Sequence, residues 1–214
     1  MDNTTSFLVN SQYSSLITLD VTQGHFATSS SHINYYIDMT ILKSKRREAK
    51  AVAKTLAQEY SVSTDVDAIV CLDNTDIIGA YLADELANSG QISQHSQNAI
   101  YILVPEQTTV GQLFFRDNYL PMISGKNVLV LLATATTGKT INTALDCIEY
   151  YGGNIAGISA IFSATKEVHG MKINSIFSTD DIPGYGTYSA GKCPMCAAKQ
   201  PLNAIVNSHG YSKL

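Results

Sequence analysis

The stretch Val128-Leu129-Val130-Leu131-Leu132-Ala133-Thr134-Ala135-Thr136-Thr137-Gly138-Lys139-Thr140 decides how the chain is read. Its apolar first half does not alternate with polar residues, so Asn127 to Leu132 reads as a strand buried on both faces. A small, hydroxyl-rich turn follows, and from about Thr140 to Tyr151 the apolar spacing is helical. A strand entering a helix through such a turn presents backbone N–H groups and hydroxyls at the positive helix end, which suits a phosphate monoester. The plainer reading is that Thr136 or Thr137 caps the helix.

Working outward, the same unit recurs. Asp67 to Leu72 (DAIVCL) is short, apolar and β-branched, and it runs through Asp73-Asn74-Thr75-Asp76 into a helix over Ile77 to Leu86. Ala99 to Val104 and Ile155 to Phe162 read as further strands, and Lys172 to Phe177 as one more at an edge. Between Lys43 and Tyr60, Ala49, Val52, Ala53, Leu56 and Ala57 recur at helical spacing, with Lys45, Arg46, Arg47, Glu48 and Lys50 opposite. Alternating βαβ order predicts an α/β fold with a doubly wound, mostly parallel sheet. Ligands of such sheets sit outside the carboxyl ends of the strands, so the turns after Leu72, Val104 and Leu132 are the places to look. The ends break the pattern. Residues 1–40 and 180–214 are expected to form a cap over a 41–179 core, all within a single domain.

Composition removes other classes. The 214 residues carry 14 Lys+Arg against 18 Asp+Glu, a net charge of −4, which leaves no broad positive surface for sequence-independent nucleic-acid binding. With 45% hydrophobic and 15% charged residues, the chain is a core-former and not a disordered tail. No apolar run approaches the ~20 residues that cross a bilayer, and Met1 to Asn10 lacks the features of a signal peptide. A cytoplasmic protein with no membrane and no nucleic-acid partner is expected. Cys71, Cys147, Cys193 and Cys196 do not suggest a secreted disulfide framework. Cys193 and Cys196 have the spacing of half a zinc knuckle, which His209 or a second chain would have to complete; a reduced structural turn is the usual outcome for a single pair.

Two further readings concern the same turns. Ala133-x-x-x-x-Gly138-Lys139-Thr140 differs from a nucleoside-triphosphate loop at its first residue, but Ile155 to Phe162 supplies no acid for magnesium. Asp73 and Asp76 either hold a ribose or a metal, or shape the turn and cap the next helix.

The stretch Val128 to Thr140 resembles the phosphoribosyl-pyrophosphate (PRPP) signature of type I phosphoribosyltransferases: four apolar residues, two acids, then small residues ending in Thr-Thr-Gly-x-Thr/Ser. Further segments are similar to the orotate branch of that family. Gly24-His25-Phe26-Ala27-Thr28-Ser29-Ser30-Ser31-His32-x-x-Tyr35-Tyr36 resembles its hood motif, and Leu72 to Leu86 its pyrophosphate-loop segment. Gly125-Lys126-Asn127-Val128 and Cys193-Pro194-Met195-Cys196 also have counterparts there.

The resemblance implies that Thr134, Ala135, Thr136, Thr137, Gly138, Lys139 and Thr140 hold a 5′-phosphate, with Phe26 and Tyr36 as base contacts and Mg²⁺ as cofactor of phosphoribosyl transfer to a pyrimidine-type base. The departures are as specific as the likeness. Leu132 and Ala133 stand where the family has its acids, and no Lys or Arg occurs from Thr55 through Phe115, where the family supplies basic residues to pyrophosphate. In the long turn from Pro105 to Gly125, Arg116 is the only basic residue. The expectation is therefore either a transferase of nucleotide metabolism or a non-catalytic relative that binds or senses a nucleotide or sugar phosphate. The apolar connection Val110 to Leu120 predicts burial against a second subunit and hence a homodimer.

Overall fold

A computed structural model describes residues 4–60, 64–88 and 99–214. The core sheet has the order β10 (Glu167–Val168), β11 (Met171–Ser178), β9 (Asn154–Ser163), β8 (Asn127–Ala135), β4 (Ala68–Cys71), β5 (Tyr101–Leu103). Every pairing in it is parallel except the short β10–β11 edge. Helix α3 (Asp76–Asn88) carries the chain from β4 to the β5 edge. The chain then returns to lay β8 on the other side of β4. Strand order therefore reverses between β4 and β8, and the carboxyl ends of these two strands flank the point where doubly wound sheets open a crevice.

The sheet is buried on both faces because its residues alternate between two helix-covered cores. Ile69, Cys71, Leu129, Leu131 and Ala133 pack with α2 (Arg46–Ala57) and α3, while Val70, Leu72, Val130 and Leu132 pack with α4 (Lys139–Tyr150). Helix α3 approaches β4 closely only because residue 79 is glycine; a Cβ there would collide with the Cys71 sulfur. No described helix is long and apolar enough to cross a membrane.

The chain ends build a second sheet, β12 (Thr187–Tyr188), β3 (His32–Asp38), β2 (Thr18–Ala27), β13 (Ala204–Asn207), β14 (Gly210–Lys213), with β1 (Thr5–Asn10) also on β2. We call it the hood. Its separate apolar cluster is small: Phe26, Ile33, Ala204 and Val206, with Tyr36 against them. A hairpin, β6 (Glu106–Gln107) and β7 (Leu113–Phe114), occupies part of the long connection.

Two readings of the sequence need adjustment. The helix expected from Lys43 to Tyr60 is broken: α1 (Thr40–Ser44) ends at Lys45, whose extended backbone (φ −94°, ψ 120°) starts α2 as its N-cap. Apolar spacing is blind to such a break, because the buried positions 49, 52, 53 and 56 all lie beyond it. In the long connection, Phe115 is only 5% exposed and packs on Tyr151 and Tyr119 of its own chain, so this part of the segment has an intrachain partner. Val110 at the tip is 80% exposed.

Candidate functional site

Strand β8 does not stop at Leu132; it continues to Ala135, where Thr134 and Ala135 still pair with Phe162 and Ser163 of β9. Thr136 to Gly138 then turn the chain into α4, with Gly138 as N-cap at φ 75° and ψ −6°. That left-handed conformation suits glycine, and a Cβ at this position would lie 3.0 Å from the Val168 side chain that backs the turn. The first helical bond runs from the Asn142 N–H to the Gly138 carbonyl. Among the described residues none accepts a hydrogen bond from the backbone N–H of Thr136, Thr137, Gly138, Lys139 or Thr140. Thr137, Lys139 and Thr140 are exposed, Thr134 and Thr136 half-buried. A run of unpaired amides at the positive end of a three-turn helix is what an anion with several acceptor oxygens satisfies.

Across the strand-order reversal lies the turn after β4. Asp73 and Asn74 both adopt left-handed backbone, φ 55° and 59°, which Asp and Asn tolerate better than most side chains. Burial pushes the Asp73 carboxyl above the usual carboxylate range, against the opposing pull of the Thr134 N–H, the Lys43 ammonium, the Ala133 N–H and His209. Asp73 thus faces the end of β8, and two of the three turns singled out from sequence, those after Leu72 and Leu132, form one mouth. Asp76 does not join them: it is exposed and is the first residue of α3, not its cap. Buried Thr75 precedes it, its hydroxyl donating to the carbonyls of Leu72 (2.7 Å) and Leu131 (3.2 Å).

Sequence reading missed Lys43. Its ammonium donates to the Asp73 carbonyl at 2.9 Å and to the Ser208 carbonyl at 2.7 Å, joining α1, the β4 turn and the β13–β14 hairpin of the hood. Burial lowers its pKa, while Asp73 and Asp38 act in the opposite direction. No local pattern marks it, because the partners of its hydrogen bonds lie 30 and 165 residues away.

The positions that would carry transfer chemistry are occupied otherwise. Leu132 is fully buried and Ala133 is 3% exposed, each in the core on its own face of the sheet. Arg116 is held by Glu106 of its own hairpin in a two-pronged ion pair (2.6 and 2.7 Å) over the Phe114 ring. A Mg²⁺–pyrophosphate group needs carboxylates that stay ionised and basic residues free to meet it. Leu132 and Ala133 supply no carboxylate and this arginine is already paired, so these positions do not fit that group.

Phe26 and Tyr36 lie apart from the mouth. Their rings are 5.9 Å apart, Tyr36 also meets Tyr211, and the cavity of about 240 Å³ that they line is otherwise bounded by hood residues such as Asp20, Asp38 and Asn203. Burial, with Asp38, Tyr211 and Asp20 nearby, pushes the Tyr36 phenol up to about 12. No residue of the 134–140 turn borders this cavity.

Cys193 and Cys196 also lie in the hood, Cys193 as N-cap of the single-turn helix α5 (Pro194–Ala197) and Cys196 within it, and they meet His25 of β2 and His32 of β3. His209, the intrachain partner expected from sequence, is instead 3.2 Å from the Asn74 side chain.

No protein-family profile and no curated protein matches the sequence. Solved structures do match in shape. A phosphoribosyltransferase from Corynebacterium diphtheriae superposes with a TM-score of 0.51 at 18% identity, covering 70% of this chain and 85% of that one. Orotate phosphoribosyltransferase from Mycobacterium tuberculosis gives 0.51 at 17% identity, over 77% and 93% of the two chains. UMP synthase from Leishmania donovani gives 0.55 at 16%, over 76% of this chain and 34% of that larger one. Adenine phosphoribosyltransferase from Thermoanaerobacter pseudethanolicus gives 0.50 at 17%, over 67% and 88%. Neighbours named for orotate and for adenine have the same shape, so the fold does not select a base. The chain has the fold of the type I phosphoribosyltransferases.

Proposed function

We propose that this protein binds the 5′-phosphate of a nucleotide or sugar phosphate in the turn Thr134 to Thr140 and does not transfer the phosphoribosyl group. The observation that carries the reading is the run of backbone N–H groups from Thr136 to Thr140 without an acceptor, placed beside the strand-order reversal. A phosphate monoester accepts several hydrogen bonds there without needing a nearby lysine, because the amides and the helix end supply the field. The Asp73 carboxyl beside the turn suits a ribose hydroxyl better than a second anionic group.

Transfer is disfavoured by chemistry. Positive charge on the ribose and negative charge on departing pyrophosphate both need stabilisation, and each missing electrostatic contact costs about 3 kcal/mol of barrier. With the acid positions filled by Leu132 and Ala133 and Arg116 tied to Glu106, several such contacts are missing.

Calorimetric titration with a nucleoside 5′-monophosphate and with PRPP, each with and without Mg²⁺, tests the proposal. Monophosphate binding indifferent to magnesium is expected. Tighter, magnesium-dependent binding of PRPP, with pyrophosphate released when orotate is added, would establish instead a transferase acting on a pyrimidine-type base.

A further inference from the structure

We infer that His25, His32, Cys193 and Cys196 form a structural zinc site that fastens the C-terminal segment to the hood. Their ligand atoms lie within 4.8 Å of one another. The Cys193 and Cys196 sulfurs are 3.5 and 3.6 Å from His25 Nε2, Cys196 Sγ is 3.3 Å from His32 Nδ1, and the two ring nitrogens are 2.9 Å apart. A tetrahedral zinc with bonds of about 2.1 Å to nitrogen and about 2.3 Å to sulfur has N–S edges of about 3.6 Å and an N–N edge of about 3.4 Å. These three nitrogen–sulfur distances lie within about 0.3 Å of those edges, the imidazoles would move apart by about 0.5 Å, and no two of the four ligand atoms are more than 4.8 Å apart.

The hydrogen bonding favours a cation over a network of thiols and imidazoles. His25 Nδ1 is 2.9 Å from the Gln200 carbonyl, an acceptor only, so this nitrogen carries the proton and Nε2 presents its lone pair inward. Three groups converge on that single lone pair: His32 Nδ1, Cys193 Sγ and Cys196 Sγ. One proton donor satisfies it and leaves the others misdirected; one zinc ion satisfies all four. The carbonyl behind a ligating imidazole is the usual outer partner of a zinc histidine. Both cysteines are free thiols, with Cys193 buried and Cys196 exposed.

The hood also has use for such a fastening. Leu19, Val21 and Ile37 pack β2 and β3 onto the core, but the C-terminal strand β13 pairs with β2 at only two positions, Ala204–Phe26 and Ile205–Ala27. The site joins residues 168 positions apart in sequence and, through Gln200 and Asn203, anchors the approach to β13 beside His25. Chelation is therefore expected to loosen β13 and β14, and with them the Ser208 carbonyl that Lys43 holds.

The test is metal content and cobalt spectroscopy on the full chain purified under reducing conditions. About one zinc per chain is expected, replaceable by Co²⁺ with the intense visible bands of a tetrahedral thiolate–imidazole site. Cys196→Ser, at an exposed position, and His32→Gln should each lose most of the zinc while keeping the far-UV spectrum. Chelator should lower the melting temperature of the unaltered protein and leave that of Cys196→Ser where it is. Trace zinc insensitive to Cys196→Ser, no tetrahedral cobalt bands, or a Cys193–Cys196 disulfide in the metal-free native protein would each overturn the assignment.

Discussion

The Lys43 ammonium donates a 2.9 Å hydrogen bond to the backbone carbonyl of Asp73, so the strained turn after β4 is held from outside by a lysine of a different helix. The same nitrogen reaches Ser208, which makes this side chain the link between the hood and the mouth of the core sheet. Replacing Lys43 by Met keeps the stem and removes both bonds. The expected cost is about 2 kcal/mol, since hydrogen bonds to charged groups contribute more than neutral ones. Hydrogen exchange should quicken at Asp73, Asn74 and in β14 before it does in β8, which mass-resolved exchange measures directly.

Gly138 is the hinge of the turn proposed to bind phosphate. At φ 75°, with a would-be Cβ 3.0 Å from Val168, alanine strains the backbone and shifts the neighbouring amides. Gly138→Ala is expected to lower stability by about 1 kcal/mol and monophosphate affinity by roughly tenfold. Urea denaturation and calorimetry on the same sample separate the two effects.

Leu132 stands where the resembled family carries an acid, yet it is fully enclosed among core residues on the α4 face. Leu132→Asp buries a carboxyl without a partner, and the loss of stability should be about 4 kcal/mol or more, without any gain of pyrophosphate release. A variant that folds at near-native stability and releases pyrophosphate from PRPP would contradict the assignment of this position to the core.

Two core thiols make the pH behaviour predictable. Burial pushes Cys147 up to about 11; burial, and then the charge of Asp76, pushes Cys71 up to about 12. In the folded chain both stay protonated at pH 8, so iodoacetamide should leave them unlabelled until denaturant is added. The sign for stability follows from linkage: the folded state holds these protons more tightly than the unfolded chain does. Their contribution is fully present below the ordinary thiol pKa of 9.0 and is lost as pH rises through about 11 and then about 12. Melting temperatures measured from pH 8.5 upward should fall, and in Cys147→Ala they should fall less steeply.

The core sheet was legible in the sequence because parallel strands buried on both faces are written as unbroken apolar runs, and β4, β8, β9 and α4 lie where those runs and the helical spacing predict. Hood strands were not legible. Strand β2 does alternate at its start, with Leu19 and Val21 buried and Asp20 exposed, but its partners are remote: β13 pairs with it across almost the whole chain, as Ala204 does with Phe26. The break at Lys45 was hidden because a dihedral change at an exposed residue leaves the apolar spacing intact.

The candidate site shows the same division. The turn after β8 is contiguous and could be read directly, whereas Lys43 reaches it through partners distant in sequence. His25 and His32 sat unassigned inside the hood motif, since nothing local connects them with cysteines 161 or more positions later; only the pairing of the chain ends brings the four together.

The most direct test of the central claim is a ¹H–¹⁵N correlation titration of the labelled protein with ribose 5-phosphate. Saturable downfield shifts of the Thr136, Thr137, Gly138, Lys139 and Thr140 amides, abolished when the phosphate is replaced by a hydroxyl, are the predicted result. Unmoved peaks for these five residues at concentrations that shift others would contradict it.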